Sequence, residues 1–209
     1  MSELISRLRI PNLPRLLAAT LVAMASLVTH AEAMNDPAEV VRSTTTEILH
    51  RVEVDRAHLE SDPDALFNLV DEVVLPNFDF VRMSRWVLGK YWRDATPAEQ
   101  EQFILEFKRL LVRTYANALF NYNGEEVSVQ PVAAADDART VTVRTELVRE
   151  GGGSIPIFYK MHDRDGDWKV FDVMVDGVSL VSTYRSSFAA EIRRGGVGGL
   201  IDSLLAKNQ

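Results

Sequence analysis

Cysteine is absent from this 209-residue chain. Disulfides, thiol nucleophiles and thiolate metal sites are therefore excluded. Histidine is scarce, with four in all, and only His50, His58 and His162 follow residue 33. A serine nucleophile needs a base to take its proton. A metal needs ligands brought close together. His50 and His58 lie eight residues apart on a predicted helix, more than two turns, which argues against a shared ion. Excess positive charge is also missing: 23 Lys and Arg stand against 30 Asp and Glu, a formal net charge of −7. Nucleic acid is a poor partner for such a chain, and anionic bilayers repel it.

Only one long apolar run occurs, the uncharged thirteen residues Leu16–Val28. It falls short of the ~20 residues a membrane span requires. Arg7, Arg9 and Arg15 precede it, and Ala31-Glu32-Ala33 follows with the small-x-small pattern of a signal-peptidase site. The expectation is a leader over 1–33, cleavage after Ala33 and a mature chain of 34–209 with net charge −8. One domain with a substantial core fits that length.

Helical signals dominate the first half. Asp36-Pro37-Ala38-Glu39 combines an N-cap, a proline at the first helical position and an early carboxylate. Val41, Thr45, Ile48 and Val52 then predict a helix over roughly 37–59. Asp62-Pro63 starts a second, which Pro76 stops. Phe78 to Leu88 forms a third, ending at Gly89. Thr96-Pro97-Ala98-Glu99 is a capping box opening the longest helix, about 97–121. Past Asn123-Gly124 the period becomes two. Val127/Val129, Val141–Leu147 and Ile155–Met161 alternate, and Trp168–Val175 is apolar on both faces. Turn signals at Asp136-Asp137, Gly151-Gly152-Gly153 and Asp165-Gly166 separate four strands. Helix returns after Gly177, stops at Gly195-Gly196, and resumes briefly over Leu200–Ala206. The fold class is α+β: helices packed on one concave face of a twisted four-stranded antiparallel sheet.

Candidates for chemistry are few. Residues 176–188, DGVSLVSTYRSSF, offer Ser179, Ser182, Ser186 and Ser187. No nucleophile elbow accompanies them. His162 could approach Ser179, but its plainer role is a histidine at the solvent edge of a strand. Asp172, set among Phe171, Val173 and Met174, could act as a general base in a cone-shaped pocket. Otherwise it faces solvent or pairs with Arg144 across the sheet. The 195–199 glycines lack the lysine and serine of a phosphate loop. Arg82, Arg85, Lys90 and Arg93 cluster around Trp86, Tyr91 and Trp92, either as a solvated face or as a docking patch for an anionic group or acidic partner. Large apolar side chains on facing elements, with medium-sized residues on the sheet, make a hollow interior plausible.

"LPNFDFVRMSRWVLGKYWRDATPAEQEQF" at 75–103, "LLVRTYANAL" at 110–119 and "GDWKVFDVMVDGVSLVSTYRSSFAAEIRRGGVGGLIDSL" at 166–204 resemble MlaC, the toluene-tolerance family of periplasmic phospholipid carriers. That resemblance implies a periplasmic carrier with phospholipid as cargo, and it implies neither catalysis nor a cofactor. Its implied partners are an outer-membrane lipoprotein–porin complex and an inner-membrane ABC transporter with a hexameric substrate-binding ring. Acyl chains would sit between helices and sheet inside a monomer. The lining candidates are Phe103, Phe107, Leu111, Tyr115, Val141, Val143, Ile157, Tyr159, Val175, Val181, Tyr184 and Phe188. Arg82, Arg85, Lys90 and Arg93 are the docking candidates. An enzyme using Asp172 and an interaction adaptor with a solid core remain the alternatives.

Overall fold

Capping chemistry sets where the helices begin. The computed structural model describes residues 36–122, 125–132, 138–148 and 153–208. The leader, its cleavage site and the turn signals Asn123-Gly124, Asp136-Asp137 and Gly151-Gly152 lie outside them. Residues Pro37–Gln209 form one compact unit. The helix α1 spans Pro37–Val54, and α2 spans Arg56–Ser61. The expected single helix over 37–59 is broken at Asp55, whose φ of −114° and ψ of 21° leave the helical region. In α3, Pro63–Val73, the Asp62 carboxylate accepts the Asp64 and Ala65 amides at 3.0 and 3.2 Å. The helix α4, Phe80–Leu88, begins the same way, with Asp79 accepting the Arg82 amide at 2.9 Å.

The capping box is complete at α5, Pro97–Tyr115. Thr96 accepts the Glu99 amide, and the Glu99 carboxylate accepts the Thr96 amide at 2.8 Å. The Thr96 backbone bond, and then its hydroxyl, hold the Glu99 pKa below the usual carboxylate value. This helix tightens into a 3-10 segment over Ala116–Asn121, so it is shorter than its apolar pattern suggested. The helical segment α6, Leu180–Lys207, is two helices joined at a kink, so α5 is the longest unbroken helix among the described residues. Gly196, at φ 70° and ψ −172°, bends it where the glycine pair predicted a stop, and the helix resumes at once.

The strands β1 (Glu126–Val129), β2 (Thr140–Val148), β3 (Ser154–Arg164), β4 (Asp167–Val175) and β5 (Val178–Ser179) form an antiparallel meander in chain order. Five strands replace the expected four. The added pair is made by Asp176 and Gly177, both at positive φ, which turn the chain so that Val178 pairs with Val175. Asp165 and Gly166, also at positive φ, make the β3–β4 turn in the same manner. Positive φ at both central residues matches the twist of a two-residue hairpin.

A register shift at Lys160/Met161 leaves Phe171 as an extra residue in β4. The bulge lets β4 serve two layers. Val170 and Val173 join Ala38 and Val41 of α1 with Val143 and Met161, while Phe171 joins the cluster of α4, α5 and α6. The helices thus meet the sheet in two places: α1 at β1 and β2, α4 and α6 at β4. A third cluster closes α1, α2 and α3 over the end of α5.

Candidate functional site

Apolar residues at steps of four on α5 and α6 build the helical layer. Phe103 and Phe107 stack at 5.6 Å, with planes 10° apart. Phe188 meets them edge-on at 6.1 and 6.2 Å, and Tyr184 lies 5.3 Å from Phe107. Offset and edge-on rings are the favoured aromatic geometries. Leu111 and Val181 complete this group, which contains half of the lining candidates.

The sheet candidates fall in the other cluster. Val143 is fully buried, and Val141, Ile157 and Tyr159 are partly buried beside it. Cross-strand register places Val143 opposite Tyr159, and Thr145 opposite Ile157. The helix packed on them is α1, through Ala38 and Val41, whereas the buried phenylalanines of α5 face the helical cluster. Tyr115 and Val175 stand at the margins, 44% and 38% exposed. Burial raises the Tyr159 pKa, and a hydrogen bond with Thr145 opposes it. Tyr184 is pushed up to about 12, chiefly by burial and then by its hydrogen bond and charge interaction with Tyr115.

The hydroxyls of 176–188 have structural uses. Ser179 caps α6 by accepting the Ser182 amide at 3.1 Å. Thr183, Ser186 and Ser187 donate to the carbonyls of residues 179, 182 and 183, each four back. Such back-bonding is the ordinary behaviour of serine and threonine inside helices.

Asp172 neither faces solvent nor pairs with Arg144. It is 2% exposed and accepts from Ser179 Oγ at 2.8 and 3.0 Å, the Val181 amide at 3.2 Å and Lys160 Nζ at 3.2 Å. The bulge at Phe171 puts it opposite Lys160, and Arg144 lies over the Phe158 ring instead. With three kinds of donor already engaged, this carboxylate anchors the start of α6.

His162 is likewise not at a solvent edge. It is buried inside β3, with Nε2 2.9 Å from Asp79 Oδ2, and it does not approach Ser179. Among the described residues, no three His, Asp or Glu side chains are placed to hold a metal.

The basic cluster divides. Arg82 and Arg85 line a cavity of about 280 Å³ with Asp79, Val81, Trp86 and Arg164, and Lys90 and Arg93 do not. Lys90 lies over Tyr91 at 5.0 Å, and Arg93 is exposed. Nothing in the sequence links Arg164 to this cluster. It arrives through the β3–β4 hairpin and the pairing of Phe78 with Val170.

Residues 42–206 match the family model described as MlaC protein. Toluene tolerance protein ttg2D of Pseudomonas putida is 32% identical over 177 residues, covering 84% of this chain and 82% of that protein. The intermembrane phospholipid transport system binding protein MlaC of Haemophilus influenzae is 25% identical over 194 residues, covering 91% and 89%. A solved structure of the phospholipid-binding protein from Ralstonia solanacearum, in complex with a phospholipid, aligns with a TM-score of 0.77 at 34% identity. The alignment covers 83% of this chain and 97% of that one. No helix among the described residues is long and apolar enough to cross a membrane.

Proposed function

The chain belongs to the MlaC family, and on that premise we propose that it is a periplasmic phospholipid carrier, exported by its leader and cleaved after Ala33. The observation that carries this reading is the Ralstonia protein, whose fold this chain shares and which holds a phospholipid. The acyl chains lie between the helical layer and the sheet. Tyr115, Val141, Ile157, Tyr159, Val175 and Tyr184 are the lining residues that cargo reaches without unpacking the core, because each is half-buried or exposed. Phe103, Phe107, Leu111, Val143, Val181 and Phe188 are buried and form the wall behind them.

Cargo hydrophobicity dictates how such a carrier works. Exposing two chains of ~15 methylenes costs roughly 24 kcal/mol at ~0.8 kcal/mol per methylene. Release into water is therefore negligible, and transfer requires contact with an acceptor. The proposed acceptors and donors are an outer-membrane lipoprotein–porin complex and an inner-membrane ABC transporter with a hexameric substrate-binding ring, between which the monomer shuttles. A net charge of −7 for the whole chain, repelled by anionic bilayers, keeps the carrier in transit between those contacts. No catalytic step belongs to this function, and Asp172 serves it by anchoring α6.

Native mass spectrometry of protein purified from cells, followed by organic extraction, tests the reading. Bound phospholipid is the expected result. A protein that emerges empty and refuses added phospholipid would overturn it.

A further inference from the structure

Arg82 and Arg85, on the same face of α4, meet Arg164 of β3 around the cavity described above. Asp79, the carboxylate among them, is already engaged. Its Oδ1 accepts the Arg82 amide, and its Oδ2 lies 2.9 Å from His162 and 3.9 Å from Arg164. Those ion pairs leave Arg82 and Arg85 without a carboxylate among the described residues. Arg82 Nε is buried and has no hydrogen-bond acceptor there. The Arg82 guanidinium is fixed between rings, 4.5 Å from Phe171 and 5.6 Å from Trp86. A rigid, unpaired cationic group on a chain of net charge −7 is a site for an incoming anion.

The rim indicates what carries that anion. Trp86 is 44% exposed and Val81 43%, and both line the cavity. Arginine beside exposed tryptophan is the composition of protein–protein hot spots. A bilayer headgroup fits less well, because the cations sit in a concavity and the chain as a whole is acidic.

We propose that this cavity docks an acidic segment of a partner protein: one carboxylate enters between Arg82, Arg85 and Arg164, and an adjoining apolar side chain rests on Trp86 and Val81. The proposal deepens the carrier reading, in which cargo changes hands only by protein contact. It removes Lys90 and Arg93 from the contact and adds Arg164.

The test is a titration of the purified, lipid-loaded protein, following the Trp86 indole resonance, with Trp86→Phe supplying its assignment. The probes are a peptide of alternating glutamate and leucine, inorganic phosphate at equal ionic strength, and phosphatidylglycerol vesicles. A saturable shift with the peptide is expected, weakened roughly tenfold by Arg82→Gln and by Arg164→Gln and unchanged in Arg93→Gln. Arg164 is largely exposed, so its variant keeps the test valid if Arg82→Gln disturbs packing. Absence of saturable peptide binding, or equal affinity in the Arg164→Gln variant, overturns the proposal. So does vesicle binding that depends on these arginines when peptide binding does not. Phospholipid content of the same samples reports on the carrier reading separately, so the two can fail independently.

Discussion

Between α5 and α6 the interior is aromatic and shut, whereas beneath α1 it is aliphatic, carries hydroxyls and is half open. Phe103, Phe107, Leu200 and Leu204 have no exposed surface. On the sheet side Val143 and Met161 are equally buried, but Val129, Val141, Ile157 and Tyr159 around them are only partly covered. Thr145 and Tyr159 also bring polar atoms to that layer. The contrast separates two tasks. Interlocked rings hold the helices together, and a loosely covered sheet of medium-sized side chains can exchange neighbours at less expense.

The largest expected effect breaks the contrast if it fails. Phe107→Ala should destabilise the protein by about 3–5 kcal/mol in urea unfolding, because it removes a fully buried ring from three aromatic contacts. A loss below about 1 kcal/mol would mean that the helical layer is as yielding as the sheet side. Asp172→Asn probes the joint between layers. It should cost about 2 kcal/mol by weakening bonds to Ser179, Val181 and Lys160, read from the same transitions.

Two tryptophan substitutions sharpen the comparison within the sheet layer. Val143→Trp should cost about 1–3 kcal/mol by overpacking beneath α1. Ile157→Trp, at a half-buried position, should leave the fold nearly unchanged and expel phospholipid, measured by extraction and mass spectrometry. Equal melting temperatures for the two variants would erase the distinction.

The smallest effect is a titration. Tyr184 in the folded protein keeps its proton to about 12, against about 10 in an unfolded chain. Above the unfolded value the unfolded state binds fewer protons, so stability is intact below about pH 10 and falls as pH rises towards the folded pKa. Tyr184→Phe should flatten that decline, and ultraviolet absorbance should lose the corresponding late tyrosinate step.

Local chemistry was legible where a few neighbouring residues decide the outcome. Thr96 with Glu99, Asp62 with Pro63, and the turn at Asp165-Gly166 all stand where the sequence placed them. The same Asp-Gly signal recurs at 176–177, but the stronger helix pattern directly after it hides the two residues of β5. Pairings across the chain were not legible. His162 meets Asp79 across 83 positions, and a one-residue bulge sets Asp172 opposite Lys160 rather than Tyr159, while Arg144 lies on β2, one strand further away. Amphipathic spacing identified the lining candidates as apolar, but it could not say that they divide between two layers, since that depends on α1 covering the sheet.

The bend at Gly196 has a consequence in time. It carries the end of α6 back over α5, where Leu200 and Leu204 seal the aromatic cluster and Asn208 Nδ2 bonds the Glu106 carbonyl and carboxylate at 3.0 and 2.7 Å. Those partners are 102 positions apart. Glu106 is wholly buried, and its carboxylate is satisfied by the Arg109 ion pair and by amide donors on Gln102 and Asn208. A chain synthesised from its N-terminus cannot complete this closure until residue 208 has emerged. Contacts of such separation also form slowly. The Glu106 carboxylate therefore stays without its Asn208 partner until residue 208 is free, and the joint between α5 and the end of α6 closes only then.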